Sequence, residues 1–168
     1  MNIILIGFMG SGKTAVGQEL ARQLKLKYLD TDILIEKSGG KKISEIFAQK
    51  GEEHFRKLET EVVKALEDYD GFVVSTGGGI VLKEENVKML KKAGPLVLLW
   101  AEPEAVIKRI GHQRHRPLLA VDDPAAEAKK ILGQRKPIYQ KAADFTVDTS
   151  NLKIEEVVSE IIKWLKSR

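Results

Sequence analysis

Eight residues near the start of the chain have the types and spacing that bind phosphate. Residues 7–14 are Gly-Phe-Met-Gly-Ser-Gly-Lys-Thr and match G-x-x-x-x-G-K-[ST], the pattern of the P-loop. Glycines let the backbone approach phosphate oxygens closely, and backbone N–H groups then point at the anion. The pattern predicts that Lys13 contacts the β- and γ-phosphates of a nucleotide and that the Thr14 hydroxyl binds Mg²⁺. The alternative is a glycine-rich turn that a lysine follows by chance.

The elements on either side of residues 7–14 decide between these two interpretations. Residues 2–6 form an apolar run typical of a buried parallel strand. Residues 15–24 carry Val16, Leu20 and Leu24 at intervals of four, which predicts one apolar face of a helix. A strand before the pattern and a helix after it form the context in which phosphate binds, since the helix N-terminus adds positive charge. We therefore predict a phosphate site here.

Carboxylates and glycines follow two further strand candidates. Residues 27–29 are followed by Asp30-Thr31-Asp32, and residues 72–75 by Thr76-Gly77-Gly78-Gly79. Ligands of open α/β sheets bind at the carboxyl ends of the strands. Three successive glycines indicate backbone close to a ligand, although a flexible turn is the alternative. Asp30 could serve only as a helix cap, so we expect Asp32 to be the functional carboxylate.

A short helix beginning at Ser44 and a longer helix over residues 52–67 are predicted next. The longer helix carries Arg56 and Glu59 beside its apolar stripe. Residues three apart on a helix are neighbours, so these two side chains can contact each other. Taken alone, Arg56 is best interpreted as a solvated helix charge.

Residues 111–124 form a polar, basic segment that includes Arg116. The segment follows a strand candidate at residues 96–100 and a helix that begins near Pro103. Such a segment beside a ligand site is typical of a lid. We predict a mobile lid over about residues 111–124.

Strand and helix candidates alternate along the whole chain, which predicts an α/β fold with a parallel sheet. After the lid we expect a helix over residues 125–132, a short helical region around Pro137, and a fifth strand at residues 145–147. The last helix has a regular apolar stripe, from Ile154 to Leu165, that is expected to face the core. No linker is visible, and 168 residues is an ordinary size for one domain, so we expect a single domain over residues 1–168.

Composition restricts the classes of function. The formal net charge of +4 suits anionic ligands, nucleic acid as well as nucleotide. Aromatic residues make up only 6% of the chain and do not interleave with the arginines at positions 109, 114, 116 and 135, which argues against a surface that stacks bases. There is no cysteine for a disulfide or a thiolate metal site. With no basic leader and no long apolar run, we expect a cytoplasmic protein.

Taken in order, these motifs resemble those of the shikimate kinase family. Many families share the P-loop, but the ordered set is specific and covers nearly the whole chain. The matching segments are residues 7–14, Asp30-Thr31-Asp32, Phe55-Arg56-Lys57-Leu58-Glu59, Thr76-Gly77-Gly78-Gly79, Arg116-Pro117-Leu118-Leu119 and Arg135-Lys136-Pro137-Ile138-Tyr139.

The resemblance implies a fold and a reaction. The fold is a three-layer P-loop kinase of the nucleoside-monophosphate-kinase-like type, in which helices flank a five-stranded parallel sheet of order 2-3-1-4-5. The reaction is the Mg²⁺-dependent transfer of phosphate from ATP to the 3-hydroxyl of shikimate, a step of aromatic amino-acid biosynthesis.

The resemblance also implies roles on the acceptor side of the site. Asp32 contacts the region of the reacting hydroxyl and acts as a base or orients that hydroxyl. Arg56, Arg135 and the backbone at Gly78 and Gly79 hold the shikimate carboxylate. Two arginines suit a carboxylate because each guanidinium offers a planar fork of donors.

On the nucleotide side, the resemblance implies ATP contacts from Gly10-Ser11-Gly12-Lys13-Thr14-Ala15, from Arg109 against the adenine, and from Arg116 of the lid. Thr14 and Asp32 are the expected Mg²⁺ ligands, while Lys13, Asp32 and Arg116 are the expected catalytic residues. The segment at residues 147–149 resembles the start of the family's adenine loop. The proline expected a few residues later is absent, and Lys153-Ile154 stands there instead.

Two other functions remain open at this point. One is a P-loop kinase that acts on gluconate or on a nucleoside monophosphate, although no pocket for a second base is evident. The other is a binding protein, either an inactive kinase relative or a nucleic-acid binder. From the resemblance we expect ATP and shikimate as the partners, no nucleic acid or membrane, and a monomer.

Overall fold

The computed structural model describes residues 1–110 and 121–168, and its described strands form one five-stranded parallel sheet. The order is β2-β3-β1-β4-β5, and every neighbouring pair is parallel. This confirms the predicted order 2-3-1-4-5. The strands are β1 Ile3–Ile6, β2 Lys27–Asp30, β3 Phe72–Ser75, β4 Leu96–Trp100 and β5 Phe145–Asp148.

Helices connect the strands and cover both faces of the sheet. Short 3₁₀ turns at Leu66–Asp68 and Ile80–Leu82 flank β3. The α-helices of the described ranges are α1 Lys13–Leu24, α2 Thr31–Gly39, α3 Ile43–Ala65, α4 Glu84–Ala93, α5 Pro103–Ile110, α6 Pro124–Ala142 and α7 Ile154–Lys166.

The side chains of β1 show how the three layers are held together. Ile3 and Leu5 point to the face covered by α1 and α7. Ile4 and Ile6 point to the opposite face, which is covered by α4, α5, α6 and the end of α3. Successive residues of a strand alternate between faces, so an all-apolar strand must be buried on both sides. The three-layer prediction is therefore confirmed.

The pair α2 and α3 lies partly outside this arrangement and has its own small core. Ile35 of α2 packs with Ile46, Phe55 and Val62 of α3. The helix α3 contains a break at Gly51, where φ is 81° and ψ is 173°. The break separates the short and the long helix that the sequence predicts in this region. Packing on α2 then sets the direction in which α3 presents its polar side chains.

The structure corrects three expectations for the second half of the chain. The predicted helix over residues 125–132 and the short helical region around Pro137 are one continuous helix, α6, with Pro137 inside it. Proline costs a helix about 3 kcal/mol, and the buried neighbours Leu132 and Tyr139 anchor α6 on both sides of it. The apolar stripe of α7 starts later than predicted, since Ile154 is 42% exposed.

The third correction concerns the end of the predicted lid. Pro124, expected in the lid, is the first residue of α6, where proline is well tolerated. The Asp123 carboxylate caps this helix by accepting a hydrogen bond of 3.1 Å from the Ala126 N–H. Residues 111–120, which include Arg116, lie outside the described residues, so the lid stays a prediction.

Within residues 1–110 and 121–168, no helix combines the length and the apolar character that crossing a membrane requires.

Candidate active site

The segment between β1 and α1 has the geometry of a phosphate-binding loop. The Lys13 ammonium folds back over it and donates to the carbonyls of Gly7 and Phe8 at 2.6 and 2.9 Å. Gly10 and Gly12 have φ of 76° and 97°, a conformation that glycine adopts without steric cost. The first turn of α1 contains no acidic residue, so nothing on the helix itself neutralises the positive potential of its N-terminus.

Two carboxylates with different tasks lie where β2 passes into α2. The Asp30 side chain accepts a hydrogen bond of 2.9 Å from the Asp32 N–H and caps α2, as the cap interpretation predicts. Between them, the buried Thr31 hydroxyl accepts the Gly77 N–H at 3.1 Å. This bond holds the start of α2 against the glycine turn that follows β3. Asp32 is thereby placed beside that turn.

These segments surround one cavity of about 330 Å³ at the carboxyl edge of the sheet. The edge is where ligands of open α/β sheets bind. Its lining includes, from the predicted site, Gly10, Gly12, Lys13, Thr14, Ala15, Asp32, Gly78 and Arg109.

Two arginines approach the glycine turn from different helices. A Cβ atom on Gly79 would lie 2.3 Å from Nη1 of Arg56, so a side chain at this position would collide with the guanidinium. A Cβ atom on Gly78 would lie 3.6 Å from Nη1 of Arg135. The structure therefore brings Arg56 of α3 and Arg135 of α6 to consecutive residues of one turn. A side chain at position 79 would displace the Arg56 guanidinium, whereas the backbone there does not require glycine, since its φ of −100° is open to any residue.

Glu59 is a buried carboxylate at the centre of this arrangement. Its side chain is 1% exposed, and Oε1 accepts a hydrogen bond of 2.6 Å from Nη1 of Arg56, which confirms the predicted contact. A Cβ atom on Gly77 would lie 2.9 Å from Oδ1 of Asp32 and 3.0 Å from Oε2 of Glu59. Burial raises the pKa of Glu59, Arg56 opposes that rise, and the nearby Asp32 adds to it. Glu59 thus fixes the Arg56 guanidinium beside the glycine turn.

Arg135 is 7% exposed and lies with its guanidinium 5.8 Å from the centroid of the Phe8 ring. In the part of the chain that the structure describes, its Nη1 is buried and makes no hydrogen bond. A buried cationic donor without an acceptor is unfavourable, so the position suits an incoming anion. Next to it, the Tyr139 hydroxyl donates to the Gly78 carbonyl at 2.5 Å.

Arg109 lies at the rim of the phosphate loop. Its Nη1 donates to the Gly10 carbonyl at 3.2 Å and to the Thr149 hydroxyl at 3.0 Å. The residue lines the first cavity and also a neighbouring one of about 650 Å³ between α5 and the segment after β5. Arg109 is therefore at the junction of two cavities, with Ser150 and Asn151 on the far side of the second.

Three residues that the structure places in the site were not among the predicted site residues. Glu59 and Tyr139 belong to motifs that were recognised, but only burial reveals what their side chains contact. Thr149 follows β5, and its position at the end of a parallel strand was the available signal. Of the other predicted residues, Ser11 is buried within the loop, and Arg116 lies outside the described residues.

The family model for shikimate kinase matches residues 9–166 of the chain. The chain belongs to the shikimate kinase family. The match includes nearly all of the P-loop, Asp30 and Asp32, the glycine turn and the arginines at positions 56 and 135. The family resemblance predicted from the sequence is therefore confirmed.

Individual members of the family agree with this assignment. Shikimate kinase from Caldanaerobacter subterraneus subsp. tengcongensis is 45% identical over 162 residues, 96% of this chain and 94% of the relative. The enzyme from Thermodesulfovibrio yellowstonii is 46% identical over 162 residues, 96% of this chain and 93% of the relative. The structure of Acinetobacter baumannii shikimate kinase in complex with shikimate superposes with a TM-score of 0.95 at 36% identity, covering 99% of this chain and 93% of that one. These relatives confirm the prediction of an ATP-dependent kinase and its P-loop fold.

Proposed function

We propose that this chain transfers the γ-phosphoryl group of ATP to the 3-hydroxyl of shikimate, giving shikimate 3-phosphate and ADP for aromatic amino-acid biosynthesis. The observation that carries the proposal is the convergence of the phosphate loop, Asp32, the buried Arg135 and the partly buried Arg56 at one edge of the sheet. The shikimate-bound relative from Acinetobacter baumannii supports the same acceptor here. Residues 1–168 would act as a single kinase domain.

The nucleotide would lie across the two cavities that Arg109 joins. Its phosphates would enter the loop of residues 10–15, where backbone N–H groups, the α1 N-terminus and Lys13 supply positive charge. The adenine would occupy the neighbouring cavity, with Arg109 against it and the segment after β5 on its other side. Arg116 is proposed to reach the phosphates from the lid.

The residues in the first cavity fit a magnesium ion shared with ATP. The Thr14 hydroxyl and the Asp30 and Asp32 carboxylates line the same cavity and are hard oxygen donors, which Mg²⁺ prefers. Among the described residues, no group of three or more His, Cys, Asp or Glu residues could hold a metal by itself. This composition suits Mg²⁺, which is usually bound by one or two protein oxygens together with substrate phosphates. We propose Thr14 and Asp32 as its protein contacts, where the ion would neutralise phosphate charge.

The acceptor would be oriented by its carboxylate at one end and its hydroxyl at the other. Arg135 presents a buried donor beside Gly78, and Arg56 lies against Gly79, so a carboxylate there would receive N–H groups from both guanidinium groups and from the turn's backbone. Asp32 lines the cavity with Lys13 and Thr14, on the side where the phosphates are proposed to lie. A hydroxyl held there would give its proton to Asp32, or be oriented by it, as it attacks phosphorus. Phosphoryl transfer depends mainly on such positioning and on charge neutralisation.

A monomeric state and a cytoplasmic location are part of the proposal and still rest on the sequence. Sedimentation of the purified chain would test the first, and fractionation of its source cells the second.

A substrate screen tests the proposed reaction. ADP release should depend on shikimate and Mg²⁺ and should stay at the background rate with gluconate or AMP. A coupled assay of ADP formation, with each acceptor at the same concentration, measures this directly. Equal rates with gluconate or AMP would contradict the assignment of the acceptor.

The Arg56→Ala variant should have a lower kcat/KM for shikimate because it no longer binds the carboxylate of the acceptor. Removing one member of a buried charge pair costs about 2–5 kcal/mol, because the other charge is left underpaired. Methyl shikimate should be a poor acceptor for the unaltered enzyme, and Arg56→Ala should weaken its use much less than the use of the acid. The measurement is kcat/KM for both chains with both acceptors. Arg56→Lys should not restore the activity, since an ammonium lacks the planar fork.

Arg22→Ala is a suitable control, because Arg22 is an exposed arginine of α1 whose side chain is 72% accessible. It removes the same charge away from the cavity and should leave both acceptors unaffected. If the effects of Arg56→Ala and of esterification simply multiply, Arg56 does not hold the carboxylate.

A further inference from the structure

Thr149 ties three separate parts of the site together. Its hydroxyl approaches the Ser11 carbonyl of the phosphate loop at 3.0 Å and the Trp100 carbonyl at the end of β4 at 3.2 Å. The same oxygen accepts from Nη1 of Arg109 at 3.0 Å, and the Thr149 carbonyl accepts from Nη2 of that arginine. The residue is 3% exposed. One small side chain therefore connects the sheet, the loop and the arginine between the two cavities.

The Thr149 hydroxyl has one proton, and the geometry assigns its hydrogen bond to the Ser11 carbonyl. The Trp100 carbonyl already receives the Thr149 backbone N–H at 2.7 Å, which is the shorter of its two contacts with this residue. The Ser11 carbonyl is the nearer of the two acceptors to the hydroxyl. The hydroxyl thus anchors the Ser11 carbonyl to the end of the sheet.

Peptide geometry passes this constraint on to the nucleotide side of the loop. A trans peptide is planar, so its C=O and N–H groups point in opposite directions. The peptide that carries the Ser11 carbonyl also carries the Gly12 N–H, and Gly12 lines the first cavity. When Thr149 holds the carbonyl, the Gly12 N–H is directed away from Thr149. Glycine on its own would leave this peptide free to rotate, because its backbone has few steric restrictions.

We propose that Thr149 is a positioning residue for phosphate binding, which holds the Ser11–Gly12 peptide so that its N–H faces the nucleotide phosphates. This inference rests on the proposed function, since it assumes that the loop binds ATP. It assigns to the segment after β5 a task besides any contact with adenine. The hydroxyl is the essential group, so serine should replace threonine and valine should not.

The test compares ligands with and without phosphate. In Thr149→Val, the inhibition constant of ADP against ATP should rise about tenfold, the effect of one lost hydrogen bond that leaves a buried carbonyl unpaired. The inhibition constant of adenosine should change less than about twofold. Thr149→Ser should restore the value for ADP. Thr146→Val, which makes the same chemical change at an exposed position of β5, should alter neither ligand.

Each outcome has a definite meaning. An equal loss for ADP and adenosine would overturn the proposal and place the effect on Arg109 and the adenine side. Unchanged binding of both ligands would overturn it as well. A general loss of folding would appear in the melting curve and would not change the ratio of the two constants. If the unaltered chain shows no shikimate-dependent ADP release, the proposed function has failed. If the unaltered chain releases ADP normally and Thr149→Val leaves the inhibition constant of ADP unchanged, only the role of Thr149 is rejected.

Discussion

Replacing Lys13 with alanine is expected to lower kcat by about 10²-fold or more while the chain stays folded. A fixed charge that stabilises a transition state typically contributes this much when it acts in a preorganised site. Lys13 is the first residue of α1 and lines the cavity, so its ammonium can reach the phosphates proposed to lie there. In the described structure it donates to the carbonyls of Gly7 and Phe8, and these bonds would yield to phosphate oxygens.

The measurement is steady-state ADP release with saturating shikimate, together with a melting curve of each variant. Lys64→Ala removes the same charge from an exposed position on α3 and should retain normal turnover. Lys13→Arg should recover little activity, because the broad guanidinium does not fit where the compact ammonium lies. Near-normal turnover of Lys13→Ala with an unchanged melting curve would remove the basis for the phosphate site.

Asp32→Asn should lower kcat far more than it weakens ATP binding. General bases typically contribute about 10²–10⁴-fold to the rate, and an amide cannot take the proton of the acceptor hydroxyl. The substitution keeps the shape of the side chain and removes one of the two carboxylates that approach Gly77. Because Asp32 adds to the raised pKa of the buried Glu59, that pKa should fall in the variant.

Asp30→Asn provides the matched control for Asp32. Asparagine caps a helix about as well as aspartate, so this variant removes a neighbouring charge and keeps the cap of α2. We expect its loss of kcat to be clearly smaller than that of Asp32→Asn. The measurements are kcat and the dissociation constant of ATP for both variants. If Asp32→Asn loses ATP affinity and keeps kcat, the role of Asp32 is limited to the metal.

Much of the fold followed from local patterns. The first three strands, which lead into the phosphate loop, Asp32 and the glycine turn, were predicted to within about a residue. Buried parallel strands leave continuous apolar runs in the sequence. The break in α3 was predicted as two helices, and Gly51 provides it. The region around Pro137 was predicted as helical, but its continuity with residues 125–132 was missed, because the burial of Leu132 and Tyr139 that anchors α6 is not a local signal.

Some features of the candidate site were likewise predictable from the sequence, and others were not. The sequence by itself determined the phosphate loop and the family, because those signals consist of neighbouring residues whose spacing is visible in the chain. That Arg56 and Arg135 act together at the glycine turn was implied by the family resemblance, and the structure brings both to that turn. Only the tertiary structure decided that Glu59 is buried beside the turn and that Thr149 holds the loop. These contacts join residues far apart in the chain. They depend on the order of the strands and the packing of α3 and α6, and no local pattern of residues encodes either of these.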